Sequence, residues 1–172
     1  MKKNIILIGF MGVGKGTTAR AFSKTYDVFN IDTDDLIESR ENRKIKKIFE
    51  EDGESYFRVL EQEVADWIED CIKGTLVSCG GGFYKVDNLK DLGTVVLLEA
   101  SFEWILNRLL TSKNAELKIQ KRPLFANPEE AKKLYIEREK AYKKIADITI
   151  NVEGKSTEEI IKEIAKKAKI KK

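Results

Sequence analysis

Ile5-Ile6-Leu7-Ile8-Gly9-Phe10-Met11-Gly12-Val13-Gly14-Lys15-Gly16-Thr17 is the stretch that decides the fold. A short apolar run of β-formers stops at a glycine, a glycine-spaced loop follows, and Thr17 to Tyr26 reads as a helix. Strand, Gly-x-x-x-x-Gly-Lys loop and helix in that order give the loop pattern a structural meaning. Gly12 and Gly14 let the backbone turn its N–H groups inward with no Cβ in the way. Those amides, running through Val13, Gly16 and Thr17 to the helix N-terminus, make a concave anion site. Lys15 adds a mobile cation suited to the β- and γ-phosphates of a nucleotide. The bland alternative is a Gly-rich turn without a ligand. One position departs from the G-x-x-x-x-G-K-[ST] pattern. Gly16 stands where a hydroxyl normally holds Mg²⁺, and a hydroxyl appears only at Thr17. The metal is then left to phosphates, water and carboxylates elsewhere.

Outward from this loop, strands and helices alternate. Val28 to Ile31 reads as a second strand, Leu76 to Cys79 as a third, Thr94 to Leu98 as a fourth and Ile148 to Val152 as a fifth. Helices are expected over Asp34 to Arg40, Lys46 to Glu50 and Glu54 to Cys71, the last with Phe57, Leu60, Val64 and Ile68 at helical spacing. Ser101 opens another, to about Leu110. Asn127-Pro128-Glu129-Glu130 starts a helix that runs to about Lys144, with Asn as cap and Pro in the first turn. Ser156-Thr157-Glu158-Glu159 is a capping box for the last one. Short buried strands alternating with helices mean an α/β fold, a parallel sheet covered on both faces in three layers. A chain of 172 residues fits one such domain, 1–172.

The bulk properties exclude several function classes. The 32 basic and 29 acidic residues leave a net charge of +3, too little for the basic stripe of a nucleic-acid binder. No apolar run approaches the ~20 residues of a membrane span. Cys71 and Cys79 lack metal-site spacing, and a reduced cytoplasmic protein is the default. No histidine occurs, which removes Ser-His triads and His metal ligands together. Catalysis must run on carboxylates, Lys, Arg, backbone amides and a borrowed cation.

Candidates for that chemistry follow in order. Asp32-Thr33-Asp34 ends the second strand, where ligands of open α/β sheets bind. Two acids there can orient hydrated Mg²⁺ and take a proton from an attacking hydroxyl; the rival reading is helix capping by Asp34 or Asp35. Arg58 and Glu61 share a helical face, either as a surface ion pair or as an arginine fork held ready for an anionic substrate. Gly80-Gly81-Gly82 ends the third strand, as a simple turn or as a close approach of ligand to backbone. Thr111 to Gln120 is polar and Lys-rich. It reads as part of a lid over 112–126 that is charged, lacks apolar anchors and closes over phosphates.

Gly9 to Thr17, Asp32-Thr33-Asp34, Phe57-Arg58 with Glu61, Gly80 to Gly82, Arg122-Pro123-Leu124 and Arg138 with Tyr142 occur in this order. Together they resemble the shikimate kinase family over about residues 4 to 165. The resemblance implies a five-stranded parallel sheet in order 2-3-1-4-5 and a substrate-binding helical segment at about 33–62. It also implies a monomer that transfers the ATP γ-phosphoryl group to the 3-hydroxyl of shikimate on the route to chorismate and the aromatic amino acids. By position it makes Asp34 the base, and sets Arg58, Arg138 and the Gly80–Gly82 backbone around the shikimate carboxylate. Arg122 falls in the lid against the phosphates. Arg108 and the segment Asn151 to Lys155 fall beside the adenine, and Asp32 holds magnesium through water. Planar arginine forks suit a carboxylate substrate better than lysine does. The rival acceptors are gluconate and a nucleoside monophosphate. A guanine-nucleotide switch lacks its N-K-x-D and D-x-x-G motifs.

Overall fold

A computed structural model describes residues 3–113, 115 and 123–170. Five strands form one sheet: β1 (Asn4–Ile8), β2 (Asn30–Asp32), β3 (Leu76–Ser78), β4 (Gly93–Glu99) and β5 (Ile148–Asn151). Every pairing is parallel and the order is β2-β3-β1-β4-β5. The expected class and strand order are therefore observed. Central β1 is buried along its whole length, as is β3, whereas Asn30 of the edge strand β2 is exposed. Parallel strands need helical crossovers, and these cover both faces. They are α1 (Lys15–Tyr26), α2 (Thr33–Glu41), α3 (Ile45–Glu51), α4 (Gly53–Cys71), α5 (Leu89–Leu92), α6 (Phe102–Leu110), α7 (Pro128–Ile145) and α8 (Thr157–Lys167).

The local signals hold at the helix ends. Ser101 Oγ accepts from the Trp104 N–H, Asn127 Oδ1 from the Glu130 N–H, and Ser156 with Glu159 closes a reciprocal box. Phe57, Leu60, Val64 and Ile68 of α4 all face the core. One buried polar side chain fastens the start of the sheet. Asn4 Nδ2 donates to the Ile72 and Leu92 carbonyls and Oδ1 accepts from the Thr75 N–H, so the buried amide is satisfied.

Two expectations change. Asp32, rather than Asp34 or Asp35, caps α2, because its Oδ1 accepts from both of their N–H groups. The expected lid is also not free of apolar anchors. At its C-terminal end Phe125 is buried, edge-on to Phe10 and stacked on Phe102. Most of the rest of the expected lid lies outside the described residues, Arg122 included.

Candidate active site

The loop after β1 carries its own cation. Lys15 Nζ donates to the Gly9 carbonyl at 2.7 Å and the Phe10 carbonyl at 3.3 Å, which holds the ammonium inside the loop. Gly12 and Gly14 have φ of 85° and 112°, in the left-handed region where a side chain is strained. Space is tight as well: a Cβ on Gly12 would lie 3.0 Å from Ile105, and one on Gly14 would lie 2.8 Å from Arg108 Nη1. Arg108 in turn donates to the Val13 carbonyl at 2.9 Å and lies 5.2 Å above the Trp104 ring. It braces the loop from α6, on the side assigned above to the adenine. Val13, within the loop, is buried, and Gly16 and Thr17 lie in the first turn of α1, Thr17 exposed.

Across the cleft, β2 and β3 end side by side, with Asp32 in register with Ser78. Asp32 Oδ2 accepts from the Ser78 hydroxyl at 2.9 Å while Oδ1 caps α2. Thr33 is fully buried, and its Oγ1 accepts from the Gly80 N–H at 2.9 Å. This bond fixes the glycine turn against the base of α2. Asp34 then projects from the first turn of α2 onto Gly80. Burial, and after it the neighbouring charge of Asp32, raises the Asp34 carboxyl from 3.8 to about 7, with Lys15 pulling the other way. A carboxyl that ionises near neutrality is matched to accepting a proton.

The three glycines are the keel of the site. A Cβ on Gly80 would fall 2.3 Å from Asp34 Oδ1, one on Gly81 2.8 Å from Arg138 Nη1, and one on Gly82 2.1 Å from Arg58 Nη1. Each glycine thus makes room for a different side chain: Asp34, Arg138 and Arg58. The turn gathers residues from α2, α4 and α7 that lie far apart in sequence. Tyr142 helps to hold it: one helical turn beyond Arg138, its hydroxyl donates to the Gly81 carbonyl at 2.6 Å, and Tyr84 meets its ring edge-on.

Arg58 is held by one buried and one exposed carboxylate. Its Nη1 donates to Glu61, which is 1% exposed, and its Nε and Nη2 donate to Glu54 at 3.0 and 2.6 Å. Burial raises the Glu61 carboxyl, and the Arg58 guanidinium works against that shift. Among the described residues, Glu61 Oε1 and Arg138 Nε are buried without hydrogen-bond partners. Buried polar atoms are normally paired. An orphan donor on Arg138 beside the Arg58 fork is what an anionic ligand would complete.

Thr33, Tyr84 and Tyr142 were given no role from the sequence. Only Tyr142 had a signal, its spacing of one helical turn from Arg138. The segment Asn151 to Lys155 starts at the last residue of β5, at the same edge of the sheet as the loop after β1, with Asn151 Oδ1 accepting from the Glu153 N–H at 2.8 Å. Among the described residues no cluster of three or more acidic or cysteine side chains makes a direct metal cage. With both oxygens already engaged, Asp32 fits a cation held through water.

A 2-3-1-4-5 parallel sheet with a lysine-bearing phosphate loop after its central strand defines a P-loop phosphotransferase. The family model described as shikimate kinase matches residues 11–169. The chain belongs to the shikimate kinase family. A shikimate kinase of Sulfurihydrogenibium sp. is 41% identical over 172 residues, covering 97% of this chain and 98% of that protein. The crystal structure of shikimate kinase from Aquifex aeolicus superposes with a TM-score of 0.79 at 36% identity, over 96% of each chain. The Acinetobacter baumannii shikimate kinase in complex with shikimate gives 0.84 at 28% identity, over 99% of this chain and 97% of that one.

Proposed function

We propose that this chain transfers the γ-phosphoryl group of ATP to the 3-hydroxyl of shikimate, giving shikimate 3-phosphate and ADP. The carrying observation is the convergence of Asp34, Arg138 and Arg58 on Gly80, Gly81 and Gly82, beside the lysine-bearing loop. One carboxyl able to take a proton and two guanidinium groups on a single turn suit a hydroxylated carboxylate. They suit gluconate less well, since its extended chain gains nothing from so compact a clamp, and a nucleotide acceptor less still.

In this reading Arg58 and Arg138 hold the acceptor carboxylate, and Glu61 with Glu54 fixes the angle of the Arg58 fork. The acceptor hydroxyl lies against Asp34. As its oxygen attacks the γ-phosphorus, its proton passes to the Asp34 carboxylate and the bond to the ADP bridging oxygen breaks. Lys15 and the amides from Gly12 to Thr17 carry the phosphate charge, with Arg122 added from the lid. Magnesium, when bound, neutralises phosphate charge, and Asp32 would hold it through water. The whole chain is read as one kinase domain with a lid at about 112–126 and an acceptor-binding segment at about 33–62. It is read as monomeric and as cytoplasmic, the latter supported by the free thiols of Cys71 and Cys79.

Two kinetic experiments test this. Arg58→Lys keeps a cation for buried Glu61 but removes the fork, and Arg138→Ala removes the other guanidinium. Each is expected to raise the KM for shikimate about 10- to 100-fold, the worth of a charged hydrogen bond, and to leave the KM for ATP within about twofold. Shikimate kinetics unchanged in both variants would remove the carboxylate clamp. Gly16→Ser restores the missing hydroxyl. It should lower the Mg²⁺ concentration that half-saturates turnover by about 3- to 10-fold, one neutral ligand's contribution. A Mg²⁺ titration superimposable on wild type would show that position 16 has no part in holding the metal.

A further inference from the structure

Gly16 does more than omit a hydroxyl: another side chain comes up beside it. Arg20 lies four residues on, on the same face of α1, and helical side chains lean toward the N-terminus. A Cβ on Gly16 would lie 3.4 Å from Arg20 Nη1. The guanidinium therefore rests against the first turn of α1, the end that carries the phosphate-binding amides. It lines a cleft of about 370 Å³ with Gly16, Asp32, Asp35 and Ser78. Asp32 is the carboxylate assigned to the metal side of the nucleotide, so Arg20 lies on that side too.

Arg20 is exposed, and the dipole of α1 gives its charge no support at this end. The N-terminus of a helix carries partial positive charge and repels a cation. Among the described residues Arg20 makes no ion pair within the usual contact distance, although it attracts the Asp35 carboxylate across the cleft. A cation set against a positive helix end, next to a cradle built for phosphate, is stabilised once an anion arrives.

We infer that Arg20 is a phosphate-binding residue of the nucleotide site. Its fork takes oxygens on the metal-facing side of the bound polyphosphate and supplies part of the charge that a hydroxyl-held cation provides elsewhere. At 3.4 Å the guanidinium lies where a Cβ on residue 16 would just touch it. This role rests on the assignment of the Gly9–Thr17 loop as a nucleotide cradle.

The test is ADP binding by isothermal titration calorimetry, in excess EDTA and again in saturating Mg²⁺. It compares wild type, Arg20→Gln and Lys24→Gln, the last removing an exposed cation one turn further along the same helix. Arg20→Gln is expected to weaken metal-free ADP binding about tenfold, as loss of a charge-assisted contact does, and to cost less when Mg²⁺ is present. Lys24→Gln is expected to stay within about twofold, since an exposed charge that distant is largely screened. Equal metal-free affinity for wild type and Arg20→Gln overturns the inference. Equal losses in Arg20→Gln and Lys24→Gln also overturn it, since they would reveal a general field and no contact. Wild type that binds no ADP in either buffer overturns the cradle itself, a result distinct from the other two.

Discussion

Asp34→Asn is expected to cut turnover by about 10²- to 10⁴-fold, the range for a positioned proton acceptor, and to make the protein more stable above pH 7. The second effect follows from the first. Folding raises the Asp34 carboxyl from 3.8 to about 7, chiefly by burial and then by the charge of Asp32. The folded protein holds this proton more tightly than the unfolded chain, so the contribution to stability is full below pH 4. It is lost progressively as pH rises toward 7 and stays lost above. Three pH units correspond to a ceiling of about 4 kcal/mol. The amide cannot ionise and escapes this loss. Thermal unfolding in EDTA should therefore give matching melting temperatures near pH 4 and a variant melting several degrees higher at pH 8, at about 2–4 °C per kcal/mol. Wild-type kcat/KM should rise with pH, reach half its plateau near 7 and level off about one unit higher. Parallel melting curves for the two proteins at every pH would mean that Asp34 ionises normally.

Gly82→Ala tests the keel with a single methyl group. The backbone at Gly82 is right-handed, with φ of −102°, so alanine suits the chain itself. The obstacle is Arg58, whose Nη1, Cζ and Nη2 would lie 2.1, 2.7 and 2.8 Å from the new Cβ. Glu61 and Glu54 hold that guanidinium, so it cannot swing aside without breaking charged hydrogen bonds. A shift of about 1 Å in a positioning group can cost about 10²-fold. We expect the KM for shikimate to rise by that order, with ADP affinity unchanged. Combined with Arg58→Lys, the alanine should add little, since the fork it displaces is already gone. Additive effects in that cycle would place the damage elsewhere.

The fold was legible because its signals are local. The apolar run Ile5–Ile8, the glycine-spaced loop and the caps at Ser101, Asn127 and Ser156 each act over a few residues. Boundaries were less sharp where several groups compete. β2 starts at Asn30 instead of Val28 because an edge strand follows its neighbour's pairing, here Leu76 to Ser78, more than its own apolar content. Candidate site residues could be named, but not how they are held. Whether Arg58 and Glu61 form a surface pair or a buried one depends on α4 packing beside the glycine turn, which i, i+3 spacing does not encode. The anchoring of Phe125 depends likewise on Phe10 and Phe102, more than twenty residues away. The cap at Asp32 was hidden because three neighbouring aspartates offered the same chemistry.

The glycine turn also dictates the order in which this protein could change its acceptor. Glycines 80, 81 and 82 each face a different side chain, so a Cβ at any of them displaces the carboxylate or guanidinium opposite. The aspartate or arginine opposite changes most readily first, leaving a space into which the glycine can then drift. New specificities would thus enter through the helices, with the turn changing last. In a lineage of such enzymes the glycines would record which functional residues had never been given up.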